Sequence, residues 1–219
     1  MEDYLKAVYI LQREHGPPVR TSALAEYLGV TPPTVTSMLE KLAERGLVVR
    51  EKYKGVELSE EGETVALEVL RHHRLIESYL AEHLDYEWSE VHDEADALEH
   101  HISEEFERRV AAALGEPRVD PHGDPIPTED LAPLDEDDTR ALAGVEEGGI
   151  VTVARVSDRD DEHLAYLSER GVEPGATLTV VDVAPIDMVT VRVDEGSDVP
   201  LPTSIAASIR VRPAGEAAV

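Results

Sequence analysis

Two histidine and carboxylate runs carry most of the chemistry open to this sequence. His73 and Glu77 stand four residues apart in RHHRLIE, and His92, Asp96 and His100 repeat at the same interval in VHDEADALEHH, with Glu99 beside the last. Residues four apart on an α-helix project from one face, so each run displays its side chains as a row. Imidazole nitrogens mixed with carboxylate oxygens at that spacing are the donors a first-row divalent ion takes. The chain has no cysteine, which removes thiolate metal sites, disulfides and cysteine nucleophiles together. Without sulfur the donor set leans toward Mn2+ or Fe2+.

A second group of residues could meet a polyanion. Thr31, Pro33, Thr34, Thr36 and Ser37 cluster at the start of a predicted helix, TPPTVTSMLEKLAERGLV. The N-terminal part of a recognition helix is what reaches base edges in the major groove. Thr and Ser hydroxyls bond either phosphate or base, so direct readout by such a helix is weak and permissive. Arg20, Arg50, Lys52 and Lys54 flank it and supply phosphate contacts.

The elements that must position these residues follow from period and punctuation. Leu5, Val8, Tyr9 and Gln12 recur at helical spacing between Asp3 and Glu14, and Gly16-Pro17-Pro18 ends that helix. Thr21 or Ser22 caps a second helix that stops at Gly29. Thr31 caps a third, with Pro32 at its first position, where a missing N–H costs nothing, and Gly46 closes it. Helix, short turn, helix is the spacing of a helix-turn-helix. Leu47 to Arg50, the turn Tyr53-Lys54-Gly55 and the return Val56 to Leu58 read as a two-stranded wing. Ser59 caps a long helix through EEGETVALEVLRHHRLIESYLAEHL, and two more run from Ser89 to about His101 and from Ser103 to Leu114. Residues 128–147 hold eight Asp/Glu against one Arg and read as a linker with at most a short helical turn. From Gly148 the period changes to two. IVTVARV, TLTVVDV, MVTVRV and IRVRP are strands, with a short helix in DDEHLAYLSERGVEPG, and the pattern fits a small five-strand barrel.

Charge sets limits on partners. Across 219 residues 47 Asp/Glu oppose 20 Lys/Arg, a net charge of −27, which by itself argues against binding phosphates. The charge is segregated, however: residues 1–60 hold eight Lys/Arg against nine Asp/Glu, and all four lysines lie there. A lysine-poor, acid-rich remainder suits a protein that stays soluble in concentrated salt, where the Debye length is about 3 Å, so a halophilic source is expected. No apolar run approaches a membrane span and the N-terminus has no signal-peptide pattern, so the expectation is a cytoplasmic protein with no membrane partner.

Five segments carry a family resemblance: MEDYLKAVY, TPPTVTSMLEKLAERGLV, RHHRLIE, VHDEADALEHHIS and DPHGDPIP. Together, over about residues 1–127, they resemble the diphtheria-toxin-repressor family of metal-dependent repressors, and the C-terminal barrel is similar to the SH3-like (FeoA-like) domain of its longer members. The resemblance implies a cytoplasmic homodimer that binds double-stranded DNA at a pseudo-palindromic operator, with no small-molecule substrate. It implies two metal positions: one from His73, Glu77 and His92, completed from the barrel by Asp160 and His163, and one from Asp3, Asp96, Glu99 and His100. Iron-responsive members typically carry Met and Cys where this chain has Asp3 and Asp96. Manganese-responsive members share the MEDY run but have a further acidic ligand where this chain has Lys6, which argues against a compact two-manganese cluster.

The resulting fold is mainly α with a small β part. Residues 1–65 form a winged helix-turn-helix, 66–127 a helical metal-binding and dimerisation domain, 128–147 the acidic linker and 148–213 the SH3-like β-barrel. The expected function is a metal-dependent repressor of metal-uptake genes, with Mn2+ favoured and Fe2+ next. An iron-dependent repressor of the same family is the alternative within that class. From another class, a His/carboxylate metallohydrolase could hold a water-activating ion with the same donors, but no HExxH and no nucleophile elbow is present.

Overall fold

The first helix, α1 (Glu2–His15), buries Leu5, Val8 and Leu11 along one side, the stripe that its sequence period requires. The computed structural model of this chain describes residues 1–51, 54–134, 138–158, 160–194 and 196–215. They fall into two units. The first comprises Met1–His73, Glu99–Ile102 and Pro127–Pro133, and the second Arg74–Leu98, Ser103–Ile126 and the rest of the chain from Leu134.

In the first unit, α1 is followed by α2 (Thr21–Tyr27) and α3 (Pro32–Glu44). Arg20, not Thr21 or Ser22, occupies the cap position of α2. Thr31 does stand at the cap of α3, but no side-chain bond caps the helix, and its hydroxyl meets that of Thr34 at 2.9 Å. Val35, Leu39 and Leu42 form the buried side of α3. The wing is β1 (Val48–Glu51) paired antiparallel with β2 (Gly55–Leu58), and Val19 adds a bridge to Val56. Gln12 Oε1 of α1 accepts from the Leu58 N–H at 2.9 Å, which ties the wing to the first helix.

Helix α4 (Glu60–His83) starts in the first unit and ends in the second. Ser59 Oγ accepts from the Gly62 N–H at 3.0 Å, the expected cap. Gly62 is buried because α4 begins hard against the end of the helix-turn-helix: a Cβ there would lie 1.9 Å from the Leu47 carbonyl oxygen. Helix propensity alone favours alanine over glycine by about 1 kcal/mol, but an added methyl against backbone forces displacement costing about 1–3 kcal/mol or more. Gly62→Ala is therefore expected to destabilise the metal-free protein by about 2 kcal/mol in urea unfolding. A neutral or stabilising result would show that α4 can move off Leu47.

The second unit holds α5 (Val91–Leu98) and α6 (Glu104–Ala113), the latter capped by Ser103. Leu75, Val110, Ala111 and Ile126 pack together there. A six-stranded antiparallel sheet follows: β3 (Arg140–Ala141), β4 (Ile150–Val156), β5 (Thr177–Ala184), β6 (Met188–Val193), β7 (Asp198–Pro202) and β8 (Ile209–Pro213), in the order β3-β8-β4-β5-β6-β7. Two short helices, α7 (Asp161–Ser168) and α8 (Thr203–Ser208), accompany it. This is the SH3-like sheet, with two more strands than the alternation shows. β3 and the 3-10 turn Leu142–Gly144 after it lie within the acidic stretch read as linker, and Leu142 is wholly buried. Two residues of strand and one turn are too short to show a period.

The strand that leads to the candidate site is β4. Val151 and Val153 face the core, a bulge at Val153/Arg155 shifts the register, and Val156 then faces inward. An inserted residue flips the alternation beyond it, so the inward phase continues toward Asp158 rather than its neighbours.

Candidate metal centres

In the first unit the donors gather around Glu99, which is 2% exposed. Asp3, Glu99 and His100 each bring a ligand atom within 4.8 Å of the others. His100 Nε2 lies 2.6 Å from Asp3 Oδ1 and 3.4 Å from Glu99 Oε1, while its Nδ1 meets Glu2 Oε2 at 2.7 Å. Asp3 and Glu2 come from the first turn of α1, and Glu99 and His100 from the turn that follows α5. Lys6, one turn along α1, places Nζ 2.9 and 2.8 Å from the two Glu99 oxygens. His73 Nδ1 meets Glu99 Oε2 at 2.7 Å. A built-in ammonium thus holds the carboxylate that the histidine and carboxylate run offers to a metal. With the imidazoles neutral, Glu2, Asp3 and Glu99 against Lys6 leave two negative charges, the complement of one divalent ion.

The second unit holds another cluster around Glu77, which is 0% exposed. Glu77 Oε1 lies 3.3 Å from His92 Nδ1 and 3.7 Å from His122 Nδ1, and His92 Nδ1 lies 3.3 Å from Asp158 Oδ2. Two donors on one ion at about 2.1 Å are about 3.0–3.4 Å apart at octahedral or tetrahedral angles, so the Glu77, His92 and Asp158 spacings fit a shared ion. Behind them Asp120 and Asp124 face Arg74 at 3.4 and 3.3 Å, and Arg155 meets Asp124 at 3.2 Å. Four carboxyl groups thus crowd two guanidiniums in this buried cluster.

The potential there shows in the ionisation of the groups. Burial and then the charges of Asp124 and Glu77 push the Asp120 carboxyl well up. Burial opposes the cationic form of His122, but Glu77, Asp120 and Asp158 outweigh it and raise the imidazole to about 9. Burial also works against the Asp158 carboxylate, yet the His92 hydrogen bond and charge hold it down to about 2. An interior that raises an imidazole and an acid together is short of positive charge.

The residues expected from the sequence are distributed as follows. Glu77 and His92 come together, with His73 one turn earlier on α4 and bonded to Glu99. Asp160 and His163 pair with each other instead: Asp160 caps α7 by accepting from the His163 N–H at 3.0 Å, and the two side chains are 50% and 46% exposed. Asp158, two residues earlier, is the residue beside His92. Asp3, Glu99 and His100 come together, and Asp96 lies 3.9 Å from His92 Nε2 within the second unit. Sequence reasoning missed Asp158, His122, Asp120 and Glu2, and it placed Lys6 without its pairing to Glu99.

On α3, Thr31, Pro33, Thr34 and Ser37 are exposed, and Thr36 is half-buried with its hydroxyl donating to the Pro32 carbonyl at 3.0 Å. Arg20, Arg50 and Lys54 are exposed, and Arg50 lies 3.4 Å from Glu40. Lys52 lies outside the described residues.

A winged helix whose chain continues into two carboxylate–imidazole clusters defines a DNA-binding regulator that answers to a divalent metal. Residues 1–56 match the iron dependent repressor N-terminal DNA binding domain, residues 59–128 the iron dependent repressor metal binding and dimerisation domain, and residues 140–213 the FeoA domain. The iron-dependent repressor IdeR of Mycobacterium tuberculosis is 33% identical, over 96% of this chain and 95% of its own. A solved manganese-dependent transcriptional repressor in complex with manganese is 39% identical, with a TM-score of 0.88 over 96% of this chain and 98% of its own. The manganese regulator SloR is 33% identical, with a TM-score of 0.80 over 97% of each chain. The chain belongs to the iron-dependent repressor family. That family consists of DNA-binding regulators rather than enzymes, which sets the metallohydrolase alternative aside.

Proposed function

We propose that this chain is a manganese-responsive repressor of metal-uptake genes, acting in the cytoplasm as a homodimer on a pseudo-palindromic operator. No helix among the described residues is long and apolar enough to cross a membrane. The observation that carries the reading is the convergence of Asp3, on the first helix of the DNA-binding unit, with Glu99 and His100. In that arrangement, donors from α1 and from the turn after α5 share one ion. A divalent ion bound there supplies fixed positive charge toward which all these donors are drawn. Asp3 then fixes the first turn of α1, the helix that carries the wing through Gln12 near its other end, while Glu99 stays in place between Lys6 and His73. Within the second unit His92, Asp158 and Glu77 would hold a second ion by the same chemistry.

Manganese is favoured over iron because the chain has no cysteine and the donors that converge are carboxylates and imidazoles. Hard oxygen donors with imidazole leave no bias toward the softer ions. Iron is the second reading, supported by the curated iron-dependent relatives. The experiment is operator capture from duplex fragments by metal-free protein titrated with Mn2+, Fe2+ or Zn2+ at molar salt. The extent of activation decides, not affinity, since Zn2+ binds more tightly on general grounds. DNA affinity unchanged by any of the three would reduce the clusters to structural sites.

Salt dependence gives a further expected result. Arg20, Arg50, Lys52 and Lys54 make about eight phosphate-contacting cations per dimer, so log K against log salt should fall no more steeply than about −7. The pairing of Arg50 with Glu40 makes it shallower. A steeper slope in fluorescence-anisotropy titrations would reveal a basic surface beyond these residues.

A further inference from the structure

The chain's single tryptophan belongs to neither cluster, yet it stands where the elements that carry one of them meet. Trp88 lies in the turn before α5, four residues ahead of His92. Its half-buried indole packs against the core of the SH3-like sheet. Nε1, which can only donate, reaches Ser168 Oγ at 3.0 Å at the last residue of α7. We propose that Trp88 is a positioning residue for the Glu77 centre: its seat on α7 holds the Asp158 carboxylate beside His92, and metal binding there tightens the seat in return. This rests on the reading of that centre as a metal site.

Asp158 lies on the short link between β4, which ends at Val156, and α7, which begins at Asp161. Both flanks of that link are gripped. On the strand side the Val156 N–H donates to the His122 carbonyl at 2.9 Å. On the helix side the indole holds the far end of α7, about 12 Å along the axis from its start. Leu164 and Leu167 of α7 are wholly buried in the core of the sheet, so the helix moves with the sheet. The two grips are joined as well: His122 Nε2 lies 2.7 Å from the Trp88 carbonyl, and the two rings pack 5.4 Å apart. A carbonyl oxygen only accepts, so the imidazole donates. Trp88 thereby ties the start of α5, with His92, to the strand and helix that flank Asp158. An indole suits that work because it combines a large apolar area with a single donor, which fixes direction where packing alone leaves room to slide. His92 Nδ1 and Asp158 Oδ2 are 3.3 Å apart in this arrangement. The apparent affinity for an ion scales with the fraction of molecules in which its donors are in place, so a looser seat is read as weaker binding.

Two measurements on the full-length dimer test this, both with Cd2+, a closed-shell ion whose effects on emission come through the protein. In calorimetry, Ser168→Ala removes the acceptor but leaves a good helix former at the end of α7. It is expected to weaken Cd2+ binding at the Glu77 centre by about fivefold, the contribution of one net hydrogen bond. Trp88→Phe, which keeps a ring but no donor, is expected to lose at least as much. Combined with Asp158→Asn, neither variant weakens binding further, because the indole acts through that carboxylate. By reciprocity Cd2+ favours the seated indole by the same factor. Acrylamide quenching of the Trp88 fluorescence therefore falls on loading in the unaltered chain and does not change in Asp158→Asn. Losses that add to that of Asp158→Asn, an unchanged affinity in Ser168→Ala, or quenching indifferent to Cd2+ in the unaltered chain each overturn the proposal and leave the centre intact. A Cd2+ affinity unchanged by Asp158→Asn overturns the reading of the centre itself, and the proposal with it.

Discussion

Glu99→Gln is expected to abolish metal-activated operator binding and, separately, to destabilise the metal-free fold. The carboxylate serves three groups at once: both oxygens face Lys6 Nζ, Oε2 meets His73 Nδ1 at 2.7 Å, and Oε1 faces His100 Nε2 at 3.4 Å. Glutamine keeps the shape but loses the charge, and turns an N–H2 group toward donors that need an acceptor. Lys6, with its side chain 13% exposed, keeps its ammonium beside a neutral amide, and breaking a mostly buried pair from one side costs on the order of 3 kcal/mol. Metal affinity at this cluster should fall by at least about 100-fold, because a direct donor is lost where even an indirect one costs about 10–100-fold. The two effects separate in a cycle with Lys6→Met. The double variant removes both partners, so it should regain most of the lost stability in urea while its DNA affinity stays indifferent to Mn2+. A Glu99→Gln protein that still tightens on DNA with Mn2+ to the same degree as the unaltered chain would refute the assignment of this cluster as the coupling site.

What the sequence made legible follows the reach of each pattern. Helical period reports neighbours on one element, so the α1, α3 and α4 stripes and the pairing of His73 with Glu77 on one face were readable. α5 ends at Leu98 rather than His101, because Glu99 and His100 leave the helix to meet Lys6, His73 and Asp3, long-range contacts of which Lys6 to Glu99 alone spans 93 residues of sequence. Periodicity carries no signal of that kind. Asp158 was hidden by the bulge in β4, which changes which residues of the strand's end face inward. Asp160 was implied by the resemblance as a donor from the first loop of the barrel, yet an Asp at the start of DDEHL is equally a helix N-cap, and the structure gives it that work. His122 had a local signal, since Asp-Pro-His-Gly is a turn with an acceptor two residues before a backbone donor and a glycine after it. What the turn could not show is that Trp88 and Glu77 stand on either side of the ring.

Asp3→Met is expected to remove most of the metal response without cost to the fold, and to move what remains toward iron. Asp3 is half exposed on the first turn of α1, and its contact with His100 is an exposed pair, a kind that contributes about 0–1 kcal/mol to stability. Its importance is positional: it is the donor that links the wing-bearing helix to Glu99 and His100. A ligand shifts an equilibrium only by its difference in affinity for the two states, so a change confined to the donor made in the DNA-competent state falls on activation rather than on folding. Melting of the metal-free variant should therefore match the unaltered chain to within a few degrees, in contrast to Glu99→Gln, while activation by Mn2+ drops by about 100-fold. A thioether is a soft, neutral donor in place of a hard anionic one, and it favours Fe2+ over Mn2+. Residual operator binding should then rank Fe2+ above Mn2+ under anaerobic conditions, the reverse of the order proposed for the unaltered chain. If Asp3→Met keeps the original ranking, the choice of metal resides in the Glu77 centre, where His92 and Asp158 stand beside Glu77, and the oxygen donors of α1 have no part in it.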